Sequence, residues 1–403
     1  MTLSGSTTLP TTTRRIVGLC GVVVLVDTLF YAVLSPLLPA YAEQAGITPG
    51  QTGLLVAAYP LGTVFGALPA GALASRRGPR VAVVMGMSVT MVTSLLFAAA
   101  TTTPELIGFR FLQGIGGALS WTGAMVWVSA VSPSNRRGEL LGALLGLSVV
   151  GGVLGPAVGA LASITSPALV FRGIAALCFG LVLLTLLASG SDTSPTQRVG
   201  WRRTLPQLRD RRILLGLWLT AYAGSAFGVI NTSAPLALSA LGLSGTAVSA
   251  VFLVMASVGA VASPLIGRHS DRHGREMATR LLLLVAIASV VLVGVASAVW
   301  VLIPVLVIAA TSLESIYVPA GALVVDGCAA TRADSAAVLS LTNLVWASGM
   351  AVASLLTGVL AVGTPGWTPY VLVALVGLLT LPALRPHPAE SGLIDPNQGF
   401  SGP

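Results

Sequence analysis

The feature that most constrains this chain is a run of twelve apolar stretches, each about as long as a bilayer is thick, with arginines concentrated in every second connection. A helix needs about 20 residues to cross roughly 30 Å of hydrocarbon, and in lipid only helices and closed barrels satisfy their own backbone polar groups. The pattern describes an all-α membrane protein. Composition agrees, with 55% hydrophobic and 8% charged residues, against about 25% charged in an ordinary soluble domain.

Apolar length and helix breakers predict spans near 16–41, 52–74, 81–100, 104–130, 138–163 and 169–189, and again near 213–238, 246–267, 278–298, 300–325, 335–362 and 367–384. Arg14-Arg15, the apolar run behind them and Ala40-Tyr41-Ala42 imitate a signal peptide. That run is too long for one and carries Asp27, Pro36 and Pro39, so it is read as the first span. The polar stretch with Arg198, Arg202, Arg203, Arg209, Arg211 and Arg212 divides the chain into a six-helix bundle (1–190), a linker (191–212) and a second six-helix bundle (213–403).

All 21 basic residues are arginine, and the net charge of +8 sits in short loops rather than in a nucleic-acid-binding patch. Arg14, Arg15, Arg76, Arg77, Arg80, Arg136, Arg137, the linker cluster, Arg268, Arg272, Arg275, Arg332 and Arg385 all fall on one side. By the positive-inside rule both termini and the linker are expected in the cytoplasm, with the chain multi-pass in the inner (plasma) membrane and its basic loops facing anionic lipid.

The two halves echo one another: Gly71-Ala-Leu-Ala-Ser-Arg-Arg-Gly78 after the second span matches Gly267-Arg-His-Ser-Asp-Arg-His-Gly274 after the eighth. A shared element at the same place in each half implies a parallel six-plus-six repeat about an axis normal to the membrane. These residues resemble the major facilitator superfamily over nearly the whole chain. Gly71, Leu73, Ala74, Ser75, Arg76, Gly78 and Arg80 resemble its motif A; Arg110, Gln113, Gly114, Gly116 and Gly117 on the fourth span resemble motif B; Gly151, Gly152, Gly155, Pro156 and Gly159 on the fifth resemble motif C. The first span is also similar to that of the vesicular amine transporters. Motif C and the twelve-span count imply the drug:proton antiporter-1 group, a secondary transporter that works as a monomer and carries no cofactor.

One position departs from the resemblance. Ser75 stands where motif A has its acid, while the second copy keeps Asp271 beside Arg272. In the family the first-half acid latches the two bundles together. Here Asp334, at the expected start of the eleventh span, is a candidate to supply the carboxylate from the opposite side, to Arg76 or Arg77.

Ionisable groups deep in a bilayer cost at least ~2.5 to 3.5 kcal/mol, so they are functional candidates by default. Three stand clearly mid-span: Asp27, Arg110 and Glu314. The resemblance puts all three on cavity-lining helices. Asp27 is the leading proton carrier, the competing reading being a permanent pair with Arg110. Glu314, with Thr311, Tyr317 and Gly321 on its face, can take a proton or attract a cationic substrate. Arg110 shares a face with Gln113, Gly114, Gly117 and Trp121. Being always charged, it tunes a carboxylate or binds an anion.

Tyr31, Gln113, Trp121, Trp127, Tyr222, Asn231, Tyr317, Asn343 and Trp346 are candidate substrate contacts, as amphipathic aromatics and amides. Gly151, Gly155 and Gly159 recur every four residues as a smooth ridge for a neighbouring helix, with Pro156 permitting a bend. Gly62 and Gly66 read as packing residues. Cys20, Cys178 and Cys328 have no metal or disulfide spacing, and His269, His273 and His387 fall in a loop or the tail. No P-loop sequence, metal cluster or nucleophile arrangement appears. The expected function is proton-coupled export of a small amphipathic or cationic compound. The alternative is an uptake symporter for a sugar, organic acid or other small metabolite.

Overall fold

The computed structural model describes residues 9–44, 46–133, 136–188, 205–273, 275–331 and 335–384. The first half holds α1 (Thr11–Ala32), a short α2 (Leu38–Gln44), α3 (Pro49–Arg77), α4 (Pro79–Ala99), α5 (Thr103–Val131), α6 (Arg137–Ile164) and α7 (Pro167–Leu187). The second holds α8 (Arg211–Ala240), α9 (Gly245–His273), α10 (Arg275–Val295), α11 (Val299–Thr331), α12 (Ser335–Gly363) and α13 (Thr368–Thr380).

Helix starts carry the signals expected of them. Thr48 caps α3 in a reciprocal pair with Gln51, Asp210 caps α8 through the Arg212 and Ile213 N–H groups, and Pro49, Pro79 and Pro167 open their helices. Between α3 and α4 the chain turns on one residue, Gly78, at φ 92°, a conformation that side chains disfavour.

Among the described residues eleven helical segments are long and apolar enough to cross a membrane, α1 and α2 counting as one broken span. The twelfth is shorter than the sequence suggested. The α-helix stops at Thr380 and a 3-10 turn runs over Leu381–Leu384, because Pro382 has no N–H to continue the ladder.

Packing follows the repeat. In the first half α1 lies on α6, α5 on α3 and α4, and α4 on α7; in the second α8 lies on α12, α11 on α9 and α10, and α10 on α13. Two large buried apolar cores result, one within residues 16–182 and one within 215–384, with Met350 of α12 joining the first, and a small third cluster gathers Ile213, Val324, Cys328 and Val338. The halves meet along two seams, α3 against α12 and α6 against α9.

Both seams are tight at the face remote from the arginine-rich loops. A methyl at Gly53 would lie 2.5 Å from the Ser354 carbonyl oxygen and 2.7 Å from Gly358 Cα, so backbone rests on backbone. On the other seam a methyl at Gly245 would lie 3.0 Å from Ser163 Oγ, and one at Gly159 would lie 3.5 Å from Ser249 Oγ. Toward the arginine-rich face Gly138, Gly142 and Gly146 of α6 and Gly71 of α3 have open space beside them.

Candidate transport site

The polar centre of the first half starts from a break in α1. Pro36, without an N–H, sits in the 3-10 turn Ser35–Leu37 that ends the helix. The last carbonyls of a helix have no partner within it, and Arg110 of α5 supplies one. Its Nη2 donates to the Tyr31 carbonyl at 2.9 Å, and its Nη1 to the Phe30 carbonyl at 3.4 Å and to Gln113 Oε1 at 3.3 Å. The guanidinium stacks 4.6 Å from the Tyr59 ring and 5.2 Å from that of Phe30. It is 2% exposed, so the contacts replace water around a charge at the negative end of the α1 dipole. Gln113 passes the chain on, donating from Nε2 to the Thr93 carbonyl at 3.3 Å.

Asp27 lies one turn earlier on α1 and is equally buried. Its partner is not Arg110. Ser120 Oγ donates to Asp27 Oδ2 at 2.5 Å, within reach also of the Gly116 and Gly117 carbonyls at 3.0 and 3.1 Å. The pairing of Asp27 with Arg110 weighed from the sequence is corrected: the arginine is engaged by the orphan carbonyls one turn along. A hydroxyl bond to a charged acceptor is worth about 1.5 to 3 kcal/mol, enough to fix the carboxylate but without a counter-ion.

Glu314 on α11 is housed differently. Its carboxylate reaches across to α9, where Gly259 leaves room that a side chain would fill. Among the described residues nothing donates to it. It lines a cavity of ≈ 390 Å³ between α6, α9 and α11, with Gly146, Val149, Ala260, Ser263 and Pro264 among its walls. Beside it, Ser263 Oγ and Ser315 Oγ are 3.5 Å apart.

The aromatic candidates divide. Tyr31 crosses between halves: its hydroxyl donates to Met350 Sδ at 2.6 Å, and its ring lies 5.7 Å from Trp346 and 5.5 Å from Tyr59. Trp121 is half-buried against the first core. Tyr317 is exposed and hydrogen-bonded to Thr342. Asn231 donates to the Phe227 carbonyl of its own helix at 2.9 Å, and Asn343 is half-buried on α12. Trp127 and Tyr222 are core residues, the Tyr222 hydroxyl facing Gly377 of α13. Tyr59 and Ser120, central to the geometry, were absent from the sequence candidates; Ser120 sits seven residues after Gln113, on the same helix face.

The α6 ridge packs on α1. A methyl at Gly155 would lie 2.5 Å from Ala32 Cβ, one at Gly159 2.9 Å from Pro36 Cγ, and Gly151 lies against the Leu25 carbonyl. Pro156 is buried inside the helix. Gly62 and Gly66 face α5, a methyl at Gly66 meeting Ala118 Cβ at 2.9 Å.

In the motif A loop, Ser75 spends its hydroxyl on the Ala72 carbonyl of its own helix, 3.1 Å away, and Arg76 and Arg272 are exposed. Arg80 instead caps α7, donating from Nε to the Thr185 carbonyl at 3.0 Å and from Nη2 to that of Leu186. Asp334 and the side chain of Asp271 lie outside the described residues, and the proposed latch to Arg76 or Arg77 with them.

The family model of the Major Facilitator Superfamily matches residues 20–354. The chain belongs to this superfamily. It is 30% identical over 279 residues to an uncharacterized MFS-type transporter of Enterobacter sp. (strain 638), covering 67% of this chain and 69% of that one. It is 26% identical over 284 residues to the uncharacterized MFS-type transporter YcaD of Salmonella arizonae, covering 67% and 69%. Among solved structures it is similar to a bacterial homolog of the human lysosomal transporter Spinster, inward-facing and unoccupied (TM-score 0.74, 15% identity, 94% and 96% covered). It is also similar to the xylose transporter XylE from E. coli in a partially occluded inward open conformation (TM-score 0.72, 14% identity, 92% and 97% covered). At these identities the two structures attest the fold. The chain is therefore a multi-pass transporter of the superfamily.

Proposed function

We propose that this transporter is a proton-coupled antiporter of the drug:proton antiporter-1 type, exporting a small amphipathic or cationic compound across the inner membrane by alternating access. The observation that carries the reading is that neither intramembrane carboxylate has a fixed counter-ion among the described residues. Asp27 faces the neutral Ser120 hydroxyl, and Glu314 faces a cavity. A salt-bridged carboxylate is held in its charged form through every state, whereas one facing a hydroxyl or open space can exchange a proton.

With the arginine-rich face taken as cytoplasmic, the tight seams close the outer side and the arrangement is inward-open. Substrate enters from the cytoplasm, the halves rock, and protons arriving from outside load the acids and favour return. Coupling needs proton and substrate to favour different states or to compete for one carboxylate. The α6 ridge, held on α1, keeps the first half closed to leak while the seams open and shut. The transporter works as a monomer in the lipid, with protons and a small molecule as its partners.

Purified protein in proteoliposomes under an imposed pH gradient tests the reading. Outward substrate flux exchanged for inward protons supports it, and should be lost in Asp27→Asn with substrate binding retained. Movement of substrate and protons in the same direction would replace antiport with uptake symport.

A further inference from the structure

The α3–α12 seam is backbone on backbone at Gly53, but the layer inward of it is made of side chains. Along α12, Gly358, Ser354, Met350 and Trp346 recur every four residues and so share one face. The first two meet Gly53 of α3, and the last two meet Tyr31 of α1. Tyr31 Oη donates to Met350 Sδ at 2.6 Å, and the Tyr31 and Trp346 rings meet edge to face, 5.7 Å apart. Met350 is 1% exposed and lies within the buried core of the first half, with Trp346 packed against it. Among the described residues, the side-chain hydrogen bond and the ring contact that cross from one half to the other both belong to Tyr31.

The second half holds its side of this contact on a rigid base. Gly224 of α8 lies against the Trp346 carbonyl, and a methyl at Gly228 would lie 2.6 Å from the Met350 carbonyl oxygen and 3.0 Å from Ser354 Oγ. Glycine contacts this close keep α12 from sliding on α8, so Met350 and Trp346 move with the half that carries them. In the first half Tyr31 is tied to the polar centre. Its carbonyl accepts from Arg110 Nη2 at 2.9 Å, and it stands four residues after Asp27 on the same face of α1. The other polar and titratable groups around Asp27 are Ser120 of α5, Arg110 one turn along, and Tyr59 of α3 and Cys178 of α7, both within electrostatic reach of it. On α1 itself the nearest are Cys20 and Tyr31, and α6 carries no titratable side chain after Glu139 at its far end.

We infer that Tyr31 is the positioning residue that couples Asp27 to closure of the outer side. Arg110 holds its backbone and the second half holds its side chain, so a shift in the last turn of α1 reaches Met350 and Trp346 through this one residue. Its task is the joint between the halves, beyond the substrate contact expected from the sequence. The inference rests on the antiport reading for what changes at Asp27; the joint itself does not.

Pulsed electron paramagnetic resonance on the full-length protein in lipid nanodiscs provides the test. Spin labels go on Thr165→Cys and Thr364→Cys, exposed positions at the outer ends of α6 and α12, while Cys20, Cys178 and Cys328 are buried. The distances give the ratio of outward-open to inward-open protein, which rises with pH in the wild type because protons favour the inward-open state. Tyr31→Phe and Met350→Leu should each raise that ratio about three- to tenfold, as one lost hydrogen bond does, and the double variant should raise it no further. Tyr31→Ala should also flatten its rise with pH, whereas a residue that merely packs would lift it by one factor at every pH. Additive effects of the two conservative changes, or wild-type pH dependence in Tyr31→Ala, would overturn the joint; if Tyr31→Ala does not fold, the conservative pair decides alone. Failure of the antiport reading looks different. A wild-type ratio indifferent to pH, or a pH dependence that survives in Asp27→Asn, overturns the coupling to Asp27, and non-additivity of Tyr31 with Met350 then still upholds the joint.

Discussion

Asp27 and Glu314 are both acids carried into the middle of spanning helices, and the two halves of the molecule house them in opposite ways. Asp27 is enclosed: a hydroxyl at 2.5 Å, the α6 ridge against the same helix, and an arginine capping the next turn. Glu314 stands on a crevice wall, with Gly259 against its carboxylate and no donor to it among the described residues. A fold made by repeating one six-helix plan thus holds one acid in a hydrogen-bonded polar core in its first copy and leaves another on a crevice wall in its second. The two acids do not stand on counterpart helices of the repeat: the counterpart of α11, which bears Glu314, is α5, which bears Arg110 instead.

The sharpest way to break this contrast is Asp27→Asn, which keeps size and hydrogen-bonding capacity but removes the exchangeable proton. On the proposed antiport, exchange driven by a pH gradient should fall about 100-fold or more, read as the initial flux in proteoliposomes; undiminished exchange would remove the enclosed acid from that proposal. Next in size is Gly155→Val, whose side chain would press on Ala32. It should cost about 1 to 3 kcal/mol by overpacking, seen as a lower melting temperature in detergent. Gly146→Ala, on the same helix but with open space beside it, should change stability by less than about 0.5 kcal/mol. Ser120→Ala should cost about 1 to 2 kcal/mol, since it leaves a buried carboxyl without its donor, and Ser120→Thr should restore part of that. The smallest effect on stability belongs to Glu314→Gln, within about 0.5 kcal/mol, because no partner is lost; a large drop in melting temperature there would mean the second acid is as built-in as the first.

Much of the architecture was legible beforehand. Long apolar runs can bury themselves in only a few ways, so the spans and the six-plus-six repeat could be read directly, and Pro382 shortening α13 is the visible exception. The three deep charges stood out because charge is rare in such segments. Their partners were not readable. Asp27 and the carbonyls of Phe30 and Tyr31 are one helical turn apart, and which turn Arg110 meets depends on the offset between α1 and α5, a quantity that spacing within either helix does not carry. Pro36 was the available hint, since a proline that ends a helix leaves carbonyls seeking a donor. Trp127 and Tyr222 show the reverse difficulty: an aromatic ring in a spanning helix packs inward or faces a cavity depending on helix rotation. Tyr59 and Ser120 drew no notice because a tyrosine before Pro60 and a serine among glycines look like ordinary packing residues.

The contact of Gly53 with Ser354 and Gly358 has one further consequence. A contact of helical main chain against helical main chain has no rotamers to reset when it parts, and its N–H and C=O groups are already bonded within their own helices. The α6–α9 seam differs, with the Ser163 and Ser249 hydroxyls at its contact, whereas the hold of the α3–α12 seam is set by how nearly two helical backbones can touch.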